Sequence, residues 1–274
     1  MYLSALIIHP VKSLRGCAVE TVVIDRRGIA GDRRFLVTDP AGRFLTQRTL
    51  PRMALVATKL NNAELTLEAP GHGVIQVARA SQPDAARTKV SVWSSEGLIA
   101  EDCGEAPARW LSDFLGTRCR LVRAGEDFTR PVRKVPADMT GAEVGFADAF
   151  PGLILTEASW TDLNDRLLEC GGEPVPMDRF RPNFVVAGAT PYAEDTWRRV
   201  RIGTVVFRSA GPCARCLVTT TDQTTAERGP EPLRTLAGYR RDPRKPEDVN
   251  FGQNVIPEGT TGVIRVGDPV TVEA

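Results

Sequence analysis

Short β-branched runs crowd this chain: YLSALII (2–8), TVVID (21–25), RFLVTD (34–39), MALVATKL (53–60), AELTLEA (63–69), VIQVARA (74–80) and KVSVW (89–93). RCRLV (118–122), NFVVAG (183–188), RVRIGTVVFRSA (199–210), LVTTT (217–221), GVIRVG (262–267) and PVTVEA (269–274) continue the series. Residues of this type fit a pleated, half-buried surface, and turn residues separate the runs. So many short strands argue for barrels or sandwiches rather than a doubly wound sheet. The expected class is mostly β (α+β), with few short helices.

Three helical patterns interrupt the strands. GEAPARWLSDFLG puts Ala108, Leu111, Phe114 and Leu115 on one face and stops at Gly116. TEASWTDLNDRLLECGG offers Thr156 as an N-cap, with Trp160, Leu163 and Leu167 on one face. GPEPLRTLAGYRR is shorter, with Pro232 suited to a first turn and Leu233 and Leu236 facing inward.

At 274 residues, 42% hydrophobic and 25% charged, the chain suits one large domain or two modest ones. Residues 123–152 lack periodicity and carry three prolines and many charges, so they read as a linker or long surface loop. The expected division is 1–122 and 123–274. A net charge of +1 gives no global basic field for nucleic acid. The N-terminal apolar run is short, and its Lys12 follows rather than precedes it, unlike a signal peptide. A soluble, cytoplasmic protein with no membrane span is expected.

Six cysteines are too sparse for a disulfide scaffold in a chain this long. The pair in GPCARC, Cys213 and Cys216, raises a sharper question. Structural zinc needs four ligands, no second close cysteine pair exists, and the only histidines are His9 and His72. A thioredoxin-like dithiol opens a helix, whereas LVTTT favours a strand. Two buried packing cysteines remain the plain alternative. Gly211, Pro212 and Arg215 suggest instead a shaped turn with a fixed charge beside a thiolate, which suits a soft metal. One cysteine cannot hold a metal alone, so the metal would arrive on a cofactor.

Three further segments are suited to an anion. HPVKSLRG places Lys12, Ser13 and Arg15 after a strand. GIAGDRRFLVTD places Arg33 and Arg34 at a strand start, where alternation sends them to opposite faces. DRFRPNFVVAG places Arg179, Arg181 and Asn183 before another strand.

Together with EDCGEAPARWLSDFLG, YAEDTW, GPCARCLVTTTDQTTAERGPEPLRTL and VGDPV, these motifs resemble the MOSC family with its N-terminal β-barrel partner domain, including the amidoxime-reducing components. The resemblance runs from the first strand to the last. It implies a β-barrel MOSC domain packed with an N-terminal barrel-like domain, and a molybdenum cofactor (Mo-molybdopterin) in the cleft between them. By motif position Cys216 is the metal ligand and Cys213 lies outside the coordination sphere. Lys12, Ser13 and Arg33 would grip the pterin phosphate, with Arg181 and Asn183 also on the cofactor. Asp148 falls near the cofactor as a catalytic candidate. Arg215 and Thr219 are added for their place beside Cys216.

The implied activity is reduction of small N-hydroxylated compounds, amidoximes or N-hydroxylated bases. Neither the membrane helix nor the C-terminal ferredoxin domain of some relatives is expected in this chain. Electrons are therefore expected from a separate protein: a ferredoxin or flavin reductase, or a cytochrome b5-like carrier. A cofactor carrier, or a sulfurtransferase using Cys216 as a persulfide, is the alternative. His9 is expected to pack, His72 to sit in an exposed turn, and RRDPRKPED (240–248) to form a solvated loop that could dock a donor.

Overall fold

Strand Tyr2–Ile8 buries Leu3, Leu6 and Ile8, a spacing of three then two. A bulge between Leu3 and Ala5 accounts for the extra residue. In the computed structural model, which describes residues 1–133, 135, 141–259 and 261–273, this strand pairs with Phe184–Ala187 on one side and Cys17–Val19 on the other.

The largest sheet runs Val270–Glu273, Arg199–Ile202, Val205–Ala214, Lys245–Pro257, Gly152–Thr156, Phe184–Ala187, Tyr2–Ile8 and Cys17–Val19, with Arg241–Asp242 as a side arm. Among the described strands of this sheet only Gly152–Thr156 and Phe184–Ala187 pair in parallel, and helix Glu157–Glu169 lies in the crossover between them. A second sheet joins Phe35–Thr38, Arg120–Arg123, Ser95–Asp102 and Arg87–Val92. A third joins Ala57–Leu60, Glu64–Ala69 and Gly73–Ala78. A fourth pairs Thr21–Asp25 with Gly28–Ile29 and with Gly262–Arg265. Residues before 30 thus lie in two sheets that also hold residues beyond 180.

The strand-rich class is as expected. Three α-helices occur among the described residues, Glu105–Leu115, Glu157–Glu169 and Leu233–Ala237. Gly116, with φ 68°, ends the first, and the Thr156 hydroxyl accepts from Ser159 N–H to cap the second. No helix among the described residues is long and apolar enough to cross a membrane.

Two large apolar clusters form the core of these sheets. One gathers Leu3, Leu6, Ile154, Phe184 and Phe207, and the other Val11, Phe35, Leu65, Leu111 and Phe114. Phe184 and Phe35 each end up in a different cluster while the loops just before them turn toward the same cleft.

Several local expectations fail for identifiable reasons. LVTTT forms a 3-10 turn, Leu217–Thr220, not a strand. The hydroxyls of Thr219 and Thr220 donate back to the carbonyls of Cys216 and Leu217, and these local bonds override β propensity. MALVATKL becomes strand only from Ala57, because Pro51 opens a 3-10 turn through Leu55. The described part of 123–152 is no surface linker: Phe128, Val132, Val144, Phe146 and Ala147 are buried. RRDPRKPED contributes to a β-hairpin whose second arm, Lys245–Pro257, runs 13 residues into the main sheet. His72 is half-buried, packed on Trp110 and Phe114 with Nε2 on Trp110 O.

Candidate active site

Seven chain segments meet at one cavity of about 330 Å³, at the small end of the roughly 300–1,000 Å³ usual for small-molecule sites. Lys12, Ser13, Arg33, Arg181 and Asn183 line its inner side. Asp148, Arg215, Cys216 and Thr219 line it as well, so the structure brings every site residue expected from sequence to one place.

The inner side is strained and cation-rich. Ser13, Arg33 and Arg181 have φ of 65°, 45° and 54°, a region that side-chain-bearing residues rarely occupy. They are three of the six non-glycine residues with positive φ among those described, and such strain gathers at functional sites. Arg33 Nη1 donates to Asp32 Oδ2 at 2.6 Å and Asn183 Oδ1 at 2.9 Å. Asn183 donates through Nδ2 to Ile7 O and Asp32 Oδ1. Its amide is thus fully engaged in bracing Arg33 rather than open to a ligand.

Arg181 spends Nη1 on Leu14 O, at 2.6 Å, while its buried Nη2 has no partner. Burial, then the nearby Arg33 charge, pushes this guanidinium down to about 9. A buried donor without an acceptor costs free energy that an anion in the cavity would recover. His9 lies behind, buried, with Nε2 on Pro182 O. Burial, Arg181 and Arg33 hold it well below the usual imidazole range, so it packs as a neutral ring.

The outer side carries the sulfurs. Cys216 is partly exposed and opens the 3-10 turn. Thr219 is buried and donates its hydroxyl to Cys216 O at 2.9 Å, so at the cavity edge it closes this turn. Arg215 does not serve Cys216: its Nη1 reaches Cys213 Sγ at 3.0 Å and its Nη2 donates to Phe180 O. The guanidinium beside Cys216 is Arg48, with Nη2 3.2 Å from Sγ. The expected pairing fails because Arg215 N–H bonds Val249 O, which sets its side chain toward Phe180. Nothing in TQRTLPR marks Arg48, which reaches Cys216 only through tertiary folding.

Asp148 joins the two sides. Its carboxylate pairs with Lys12 Nζ, lies 3.5 Å from Arg48 Nη2, and accepts from the Trp93 indole N–H at 3.0 Å. Packing opposes its ionisation, yet Lys12, Arg48 and the indole outweigh this and hold the carboxyl well below its usual range. Burial conversely lowers the Lys12 ammonium, and Asp148 opposes that shift. Arg130, also unanticipated, shapes the loop: its guanidinium donates to the carbonyls of Gly145, Ala147 and Asp148. No group of three or more His, Cys, Asp or Glu assembles among the described residues, so zinc lacks its ligand set.

Residues 1–118 match the MOSC N-terminal beta barrel domain, and residues 141–271 match the MOSC domain. The chain is 36% identical to the mitochondrial amidoxime-reducing component 1 of Homo sapiens, over 96% of this chain and 80% of that relative. Identity to the Danio rerio protein of that name is 34%, over 97% and 82%. A molybdenum cofactor sulfurase of Oryza sativa subsp. japonica is 31% identical, over 93% of this chain but 34% of its own length. With both domains matched in order, and relatives aligned over nearly its whole length, the chain belongs to the MOSC family.

Proposed function

We propose that this protein binds a molybdenum cofactor in the cavity and reduces small N-hydroxylated compounds. One observation carries the reading: a partly exposed thiol and a wall of five cationic side chains, with Asp148 as the sole lining carboxylate among the described residues, share one cavity. The wall fits an anionic group, since Arg181 Nη2 is buried without an acceptor. The thiol fits a soft metal.

Lys12, Ser13, Arg33 and Arg181 would hold the phosphate end, and Cys216 would ligate the metal. The bound cofactor would supply two-electron chemistry able to take up a substrate oxygen. Asp148, ionised at neutral pH, would accept a hydrogen bond from the substrate N–OH and orient it. Arg130 keeps the Asp148 loop in place from behind. Reduction of an amidoxime breaks the N–O bond, takes two electrons and two protons, and releases an amidine and water. The electrons would come from a separate ferredoxin, flavin reductase or cytochrome b5-like protein. The likeness to part of a cofactor sulfurase, with Cys216 facing the cavity, supports a second reading in which that thiol carries a persulfide.

The test is metal analysis of protein made in cells that synthesise the cofactor. About one molybdenum per chain is expected in wild type and in Cys213→Ser, with at least a tenfold loss in Cys216→Ser. Under roughly a tenth of an equivalent in folded wild type would overturn the reading. Sulfane sulfur on Cys216 without amidoxime turnover would favour the persulfide.

A further inference from the structure

Trp93 sits in the two-residue turn between Val92 and Ser95, which pair across the hairpin of strands Arg87–Val92 and Ser95–Asp102. Its φ is 54°, where such turns favour Gly, Asn or Asp and disfavour a bulky side chain. The side chain is nevertheless 46% exposed, so burial does not account for an indole there. Its ring is also held. The Phe44 ring meets it edge-on at 4.9 Å, the Arg48 guanidinium lies over it at 4.6 Å, and Nε1–H donates to Asp148. The turn is pinned from its other side by Arg133, which donates to Ser94 O and Oγ. The same Arg48 touches Cys216 Sγ, so the indole packs on two residues that line the cavity, Arg48 and Asp148. A strained, half-exposed and immobilised aromatic is a pre-formed binding surface.

We propose that Trp93, braced by Arg48 and Asp148, is an aromatic shelf that selects N-hydroxylated substrates carrying a flat ring over alkyl ones. This rests on the reductase reading for its substrate class. The ring of an aryl amidoxime, or of an N-hydroxylated base, packs on the open part of the indole, and its N–OH group turns inward toward Asp148. Alkyl analogues meet Asp148 alone. Trp93 is then a specificity-determining residue.

The test uses benzamidoxime and acetamidoxime, both neutral at pH 7. Without reductant, each is titrated into the purified full chain, and the indole N–H resonance of Trp93 is followed, identified by its loss in Trp93→Phe. Benzamidoxime should shift it saturably, and acetamidoxime should bind at least threefold more weakly. With reductant, the benzamidoxime-to-acetamidoxime ratio of kcat/KM should fall roughly three- to tenfold in Trp93→Leu, the usual worth of an aromatic contact, and persist in Trp93→Phe. Loss of the indole N–H to Asp148 would instead lower both substrates alike in both variants. An unchanged ratio in Trp93→Leu, or no movement of the Trp93 resonance, overturns the shelf. A wild type that binds benzamidoxime at Trp93 yet reduces neither compound leaves the shelf standing and overturns the reductase reading.

Discussion

Two Arg-X-Arg stretches, Arg199-Val-Arg201 and Arg179-Phe-Arg181, fold into opposite circumstances. The first lies on a regular strand, where residues two apart share a face. Glu273, on the neighbouring strand, pairs with both arginines, at 3.2 and 2.6 Å. Glu258 pairs with Arg199 at 2.7 Å and with Arg208 at 3.1 Å. The second stretch is a 3-10 turn that ends with Arg181 in the left-handed region. That twist splits the pair: Arg179 finds Asp222 at 2.9 Å, while Arg181 turns into a cavity rich in other cations. A regular strand hands its arginines carboxylates from the adjacent strand. A strained turn can present one with a buried N–H left without an acceptor, and a ligand can then complete it.

The contrast breaks most visibly at Arg181. Arg181→Met should lower molybdenum retention after dialysis at least tenfold, consistent with the roughly 1.5–3 kcal/mol of a hydrogen bond to a charged group. Arg201→Met should leave retention unchanged. Equal retention in both variants would erase the distinction.

His9 sharpens it through pH. Its folded value lies below the unfolded value near 6.5, because of burial, Arg181 and Arg33. The unfolded chain therefore binds more protons below about pH 6.5, and stability is lost as pH falls through that window. One proton gives a slope up to about 1.4 kcal/mol per pH unit. Chemical denaturation of His9→Gln between pH 7 and 5 should show a correspondingly flatter dependence, and Arg181→Met a smaller flattening.

The smallest effect belongs to the strand face. Glu258→Gln should cost about 1 kcal/mol or less by urea denaturation, shrinking further in high salt. A larger, salt-insensitive loss would mean that the outer pairs are more than solvated surface bridges.

Much of this was readable locally. The helix Glu105–Leu115 shows its buried face in the spacing of Ala108, Leu111 and Phe114, and its stop in Gly116. Lys12, Ser13, Arg33 and Arg181 stand out because each follows or precedes a recognisable strand. Strand Gly152–Thr156 was not legible, since a short run buried at every residue has no period to detect. Nor was the long strand ending at Pro257, whose charged start imitates a loop. Arg48, Trp93 and Arg130 carry no signal, for arginines and an aromatic at a strand end are common on any surface.

From residue order alone came the strand-rich class, the helix stops, the basic turns and the cysteine pair, because these depend on neighbours a few positions apart, while the choice of Cys216 came from the family resemblance. Tertiary structure alone decided which guanidinium meets which thiol, and that Asp148 ties Lys12 to Arg48. Arg48 and Cys216 are 168 positions apart, and Lys12 and Asp148 are 136. Contacts at such separation follow from sheet register and loop packing, which no local pattern records.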